Sequence, residues 1–459
     1  MQILFRLLLL AGALGAMITS GADANGKSAD QAQPAEYFAT LPFRETPFSP
    51  LKGIHRISAE EARTRKHFRF EYDAEGRPTQ VSFMQGERAV SLNDSADYYF
   101  FAPRLKIEYG AKTETRAFFD KHGNRIAVNG DVFQEVYRLD ERGYRRSLEF
   151  YNVDGDPVEN SWGIARYEWS LLDDGSVAEK RYGINGELAQ LRSGFPFFEV
   201  RFHYGPYGWL ALMQNYGVNG RLTMNELNAA QDRLEYAANG DLLSWNVLDV
   251  DGNYSVGNGP GVARGILERS AEGYEIVERY ENADGEPIAN SYGFSYTRKV
   301  NDRFGNRIEA SNFTLDGRQL MISEGRGYAG WRATYDDDGR NRTKIEFFGA
   351  ERRPVIRGDR GYFAIRFEYD ESDNEIAVYY EGANGEPVNS NDAGVAKIER
   401  NYDNRGRLTR TRHLDKTGTL VNHANAGFAV EERTYDDAHG VPETVARYSA
   451  NGELIELVP

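Results

Sequence analysis

From about His67 onward, apolar and polar residues alternate in short runs. Phe363, Ile365, Phe367 and Tyr369 fall at every second position, as do Ala165, Tyr167, Trp169 and Leu171, and Phe198, Val200, Phe202 and Tyr204. A period of two over seven residues predicts a strand with one buried face. The runs end in turn chemistry. Tyr72-Asp73, Tyr335-Asp336, Tyr402-Asp403 and Tyr435-Asp436 are followed by Gly76, Gly339, Gly406 and Gly440. An Asp at that place accepts bonds from the amides ahead of it, and the Gly supplies the positive φ needed to re-enter a strand. A second strand then ends near an aromatic, as at Tyr151, Tyr182, Tyr216, Tyr280, Tyr380 and Tyr448. An Asn/Asp-Gly turn follows, and a short extended piece such as Glu386-Pro387-Val388 leads into a loop. Pro there predicts a position with no ladder donor, at an edge or a strand start.

This pattern repeats. The first turn's glycines run through Gly76, Gly110, Gly143, Gly175, Gly208, Gly240, Gly273, Gly305, Gly339, Gly406 and Gly440, with Asp373-Asn374 in place of one of them. A second series in phase includes Gly123, Gly155, Gly186, Gly220, Gly252, Gly285, Gly317, Gly385, Gly418 and Gly452. A third opens the units at Gly163, Gly194, Gly261, Gly293, Gly327, Gly361, Gly394 and Gly427. The expected fold is all-β: a tandem array of about twelve units of ~33 residues, the first two degraded. Each unit is a hairpin plus a short third strand or arm. One hairpin is marginal in water, so the units must bury their aromatic faces against neighbours in an extended, twisted or spiralling sheet.

The start of the chain reads differently. Arg6, an apolar run from Leu7 to Ile18 and the small residues of Ala22-Asp23-Ala24 predict a secretory signal peptide over residues 1–24, too short to span a bilayer. Residues 25–57, rich in Ala, Gln and Pro, predict a flexible lead-in. Ser58-Ala59-Glu60-Glu61 fits a capping box for a short helix over 58–66, placed to cover the open end of the sheet. The repeat domain is expected over 67–459, with Ile455 to Pro459 as an edge strand.

The Tyr-Asp-x-x-Gly units around 72, 335, 402 and 435 resemble the RHS (YD-repeat) proteins, and the Asn/Asp-Gly hairpins resemble MORN-type arrays. The resemblance covers most of 67–454. It implies a hairpin sheet that spirals, sometimes into a shell, in exported or surface proteins. The unit here is longer than the usual YD unit, and there is no Asp-Pro-rich core-end motif and no toxin-like C-terminal region. The hairpin array is therefore what carries over.

Composition narrows the function. With 55 Lys and Arg against 70 Asp and Glu the net charge is −15, which opposes non-specific nucleic-acid binding. The absence of Cys removes disulfides, thiolate metal sites and Cys nucleophiles. No run after the signal is long and apolar enough to cross a bilayer as a helix. The expected location is outside the cytoplasm, in the periplasm or extracellular medium.

No nucleophile elbow, phosphate loop or zinc-spaced His pair is present among the seven histidines. Asp249-Val250-Asp251-Gly252-Asn253 looks like part of a calcium loop, but it falls on the second turn and lacks the downstream Glu. No cofactor is expected, beyond weak Ca²⁺ at turn carboxylates. The candidate ligand-binding residues are loop aromatics: Trp162 and Tyr292 in Asn-Ser-Trp/Tyr-Gly loops, and Trp209 and Trp331 near turn exits or strand starts. Aromatics in register can stack on sugars or receive a partner's side chains; they can also simply pack between units. The sequence thus points to a non-enzymatic exported repeat scaffold that binds a macromolecule, either a protein or a polysaccharide of the envelope. The alternatives are a carbohydrate- or envelope-polymer-binding protein using the loop aromatics and, third, a glycan-active enzyme with a carboxylate pair.

Overall fold

The computed structural model describes residues 33–43, 51–92, 102–191, 195–318, 326–435 and 440–458; the expected signal peptide lies outside them, as does Gly194. They contain 28 strands and one four-residue helix. The fold is all-β, and within each of its parts the strands pair antiparallel, mostly with the next strand in the chain. Two compact units are formed, one by the described residues of 33–119 and 127–258, the other by 120–126 and 259–458.

One hairpin serves for the rest. Strand Lys397–Tyr402 pairs with Leu408–Leu414 at six positions, with a bulge between Asn401 and Tyr402. At the turn the amide of Gly406 donates to Asp403 O at 3.0 Å, and Asp403 N donates to Arg407 O at 3.0 Å. The Asp403 carboxylate accepts from the amides of Arg405 and Arg407, both at 2.9 Å. Gly406 has φ 74°. The exceptions identify what the position needs. Asp373 takes the glycine's place with φ 62°, and Arg352 fills a second-turn slot with φ 59°. The hairpin at Gly110 is of another kind: its register runs unbroken from Arg104↔Phe119 to Tyr109↔Glu114.

After the second turn the chain touches the second strand once. Glu381 pairs with Pro387, Glu281 with Pro287, Phe348 with Pro354 and Tyr151 with Pro157. The expected third strand is thus a single bridge. Around Pro157 the bonds come from Asn152 N to Asp156 O and from Val158 N to Phe150 O, so the proline's missing amide costs nothing. The chain then loops out and returns as the next unit's first strand. In most units that strand reaches the preceding hairpin at three positions, as in Ala377↔Glu399, Val378↔Ile398 and Tyr379↔Lys397; Glu199–Tyr204 reaches it at four and Gln134–Leu139 at five.

Two further ladders reinforce this short seam. Tyr402 Oη donates to Glu375 O at 3.0 Å, Tyr435 Oη to Leu408 O at 2.8 Å and Tyr369 Oη to Arg342 O at 2.9 Å. Each acceptor is the first residue of the previous hairpin's second strand. The opening loops also join in series: Ser291 N to Pro260 O, Asn391 N to Arg360 O and Ala424 N to Ala393 O, at 2.7, 2.8 and 2.9 Å. The residues just after these loops are small and buried, for example Ala263, Ala329, Ala364 and Ala396. Gly330 shows why: a Cβ there would lie 2.5 Å from the Phe348 ring and from Ala310 O.

The lead-in departs from expectation. Within 25–57, strands Glu36–Thr40 and Ile54–Ile57 form, and the first pairs with both the second and Lys66–Tyr72. Strands, not the helix, therefore cover the first hairpin's edge. Phe38 packs edge-on against Phe70 at 5.3 Å, a strong reason for an Ala- and Gln-rich segment to take up the vacant edge. The helix is Ala59–Ala62, shorter than 58–66, with Ser58 and Glu61 forming the capping box. Its Ala62 packs on Ala39 and Ile57. At the other end, Leu454–Val458 pairs with Pro442–Tyr448 as the last strand.

Burial raises the tyrosine pKa values along the hydroxyl ladder, to about 12 at Tyr402 and at Tyr109, whose Oη donates to Pro78 O at 2.9 Å. The folded state therefore favours the neutral phenol. Its contribution to stability is complete below the unfolded value near pH 10 and is lost as pH rises through about 12. Urea titrations should give a stability that is flat from pH 8 to about 9.5 and then falls, and Tyr402→Phe should lose about 1 kcal/mol at pH 8 while flattening part of that alkaline loss. An unchanged midpoint for Tyr402→Phe would contradict the ladder.

Candidate interaction surface

The four candidate aromatics are held in different ways. Trp162 and Tyr292 sit half-buried at the tips of opening loops whose Asn side chains, Asn160 and Asn290, are buried. Each Asn oxygen accepts the amide two residues on, at 3.0 Å, and so fixes the ring that follows. Tyr292 stacks on Phe294 with centroids 6.2 Å apart, and the Arg326 guanidinium lies 4.7 Å over its ring. Trp331 stands in mid-sheet, opposite Ala310 on one side and Phe347 on the other.

Trp209 is engaged from three sides. Tyr236 stacks on it at 5.9 Å, Lys52 Nζ lies 4.0 Å over the ring, and a Cβ on Gly240 would meet it at 2.7 Å. Beside it His55 Nε2 meets Asp241 Oδ1 at 2.8 Å, across 186 residues of sequence. His55 takes a left-handed φ of 56° to do so. The segment 52–55 thus straps two first turns of its own unit. In the second unit an analogous role falls to 120–126. Lys121 Nζ donates to Asp373 O, His122 Nε2 meets Asn374 Oδ1 at 2.6 Å, and Asn124 Nδ2 donates to Arg405 O at 2.9 Å.

The Asp249 loop is a turn. Its Oδ1 accepts the amides of Asp251 and Asn253, both at 2.9 Å, and the Asn253 amide bond leads the effects that hold its carboxyl below the usual range. Among the described residues no group of three or more His, Asp or Glu is placed to hold a metal ion.

Two clusters emerge, the first missed in the sequence and the second legible there only as two histidines of one unit, His413 at a strand end and His423 in the next loop. Glu179 and Arg181 are both 0% exposed, with Arg181 Nη2 2.5 Å from Glu179 Oε1 and Trp169 Nε1 donating to Glu179 Oε2 at 2.9 Å. The signal was present: Glu179 and Arg181 occupy the same face as Val177 in the alternation of Val177–Tyr182. The second cluster is His413 and His423, 4.8 Å apart. His423 Nδ1 accepts the amides of Asn425 and Ala426, each at 3.2 Å, and burial lowers the pKa of both imidazoles. Both clusters serve packing between strands and loops.

No family model matches this sequence, and a search of curated proteins gives no match. Among solved structures, the chain is similar to one in the complex described as TcdB2-TccC3-TEV, at 13% identity and a TM-score of 0.30, with 86% of this chain and 20% of that chain aligned. It is similar, too, to a chain of the Photorhabdus luminescens Tc holotoxin pore carrying a TccC3 mutation, at 12% identity, a TM-score of 0.27 and 85% and 22% coverage. The chain spans about a fifth of the length of these neighbours.

The geometry makes two expectations. Trp209→Ala should release the strap, raising amide exchange over 51–57 by at least about tenfold while the hairpins beyond 260 stay protected; equal exchange in the variant would show that the ring does not hold it. Glu179→Gln should cost about 3–5 kcal/mol by leaving Arg181 buried without a counter-charge, whereas the double change Glu179→Leu with Arg181→Met should recover most of it. Equal melting of the two variants would refute the pair's place in the core.

Proposed function

We propose that this chain is an exported, non-enzymatic repeat scaffold that binds a protein partner in the cell envelope or outside the cell. The observation that carries the reading is the pair of seam ladders. Tyr–carbonyl bonds, where a first strand ends in Tyr369, Tyr402 or Tyr435, and loop-to-loop bonds along the series tie the backbone of one unit to its neighbour, so that turns of like geometry are presented in register along the sheet ends. A surface that repeats along one dimension suits recognition of an extended partner. The acidic net charge favours partners with basic surfaces over nucleic acid. The signal-like first 24 residues support export. Ring engagement at Tyr292 and Trp209 favours packing over sugar stacking for those two residues.

Cross-linking of the purified chain in a fraction of exported proteins should yield one dominant partner, with its cross-links concentrated at turns. Two results would overturn the reading. One is glycan-array binding abolished by Trp162→Ala or Tyr292→Ala. The other is turnover of a polysaccharide abolished by a single acid-to-amide change.

A further inference from the structure

Each unit offers an internal comparison between its two turns. Both share one mechanics: a glycine with positive φ whose amide bonds three residues back, as at Gly175 to Leu172 and Gly186 to Gly183. The residue after the turn's first position is solvent-facing in such a turn and is usually polar, small or Pro. The first turns follow this rule with Glu141, Asp173, Pro206 and Ala238. The second turns of the same four units carry Val153, Ile184, Val218 and Val250 instead. Ile184 is 49% exposed, Val218 75% and Val250 40%, with Val153 half-buried. Turn mechanics give no reason for β-branched aliphatics in four successive slots, since the equivalent slots at the other end of the same hairpins do without them. Further along, the slot holds Ala283, Ala350, Ala383 and Lys416, with Leu315 the exception.

The row has a spacing and a charge. Two strands separate successive second turns, so the aliphatic side chains recur about every 10 Å. Among the described residues of 150–160, 183–191, 217–227 and 249–257, Asp154, Asp156, Glu159, Glu187, Glu226 and Asp251 are exposed, against one exposed base, Arg221. A strand repeats its face every ~6.8 Å and falls out of step with such a row. A helix brings residue i+7 back to the same face after about 10.5 Å and stays in step over four positions.

We propose that the row Val153, Ile184, Val218 and Val250 is a docking surface for a basic amphipathic helix of a partner protein, its apolar residues at heptad spacing seated on the four turns and its Lys and Arg residues facing the flanking carboxylates. The proposal rests on the scaffold reading above and specifies where that scaffold binds.

The probe is a fluorescent 28-residue helical peptide with Leu at heptad positions and Lys on the flanks, compared with its Glu-for-Lys counterpart and with anionic lipid vesicles. The proteins are the full chain, the variant I184S/V218S/V250S, and a control variant L171S/L243S/V300S that removes three exposed aliphatics elsewhere. All should melt alike, since every changed residue is exposed. The basic peptide should bind the full chain and the control alike, weaken about tenfold or more on the row variant, and outbind the acidic peptide by a similar factor. The proposal fails if the row variant binds the basic peptide as well as the control does, if the two peptides bind alike, if no binding appears up to about 1 mM, or if vesicles bind and are lost in the row variant. Repeating the cross-linking with the row variant separates the two readings. A partner captured equally by both chains removes this surface and leaves the scaffold, whereas no partner with either chain removes the scaffold itself.

Discussion

Everything in this structure depends on narrow seams, most of them three residues wide. Within most hairpins the strands pair at six positions; between hairpins most pair at three. A backbone that leaves half a strand edge open must satisfy those groups elsewhere or leave them to water. The chain solves this locally. The arm after the second turn covers the end of the strand with one bridge, the next first strand covers the middle, and at Tyr369, Tyr402 and Tyr435 a hydroxyl donates to the carbonyl at the far end. The tyrosine of the Tyr-Asp pair thus acts twice, closing its own hairpin beside a bulge and fastening the hairpin before it.

Much of this is legible in the sequence, because turn chemistry is local. Positive φ at a fixed place selects Gly, so three glycine series in phase reveal twelve hairpins without any view of their packing. The reading fails where the cause is distant. Glu36–Thr40 pairs because an edge beside Lys66–Tyr72 is vacant, and nothing in its own Ala- and Gln-rich surroundings announces that. The strap of Lys52 and His55 on Trp209 and Asp241 joins residues 157 and 186 apart in the chain, beyond the reach of periodicity. Of the candidate site, the loop positions of Trp162 and Tyr292 were readable, since Asn and Gly frame them. Their partners were not, because Arg326 reaches Tyr292 from the next opening loop.

The buried face also carries more polar chemistry than a sandwich core would. Glu179, Arg181, Asp232, Asn215 and His413 are all buried. Such groups cost stability unless fully paired, which makes the Glu179–Trp169 bond and the His413 contact with Phe428 O conditions of folding and not ornaments.

Those narrow seams also determine how the molecule fails. Pulled from its ends, a chain of this kind gives way at a joint before it gives way inside a hairpin, because the joint has fewer bonds to break at once. Each rupture bares an apolar face that only the neighbouring hairpin covers, so a freed hairpin is marginal alone and regains its structure by docking back on the array, as a zip fastener recloses tooth by tooth.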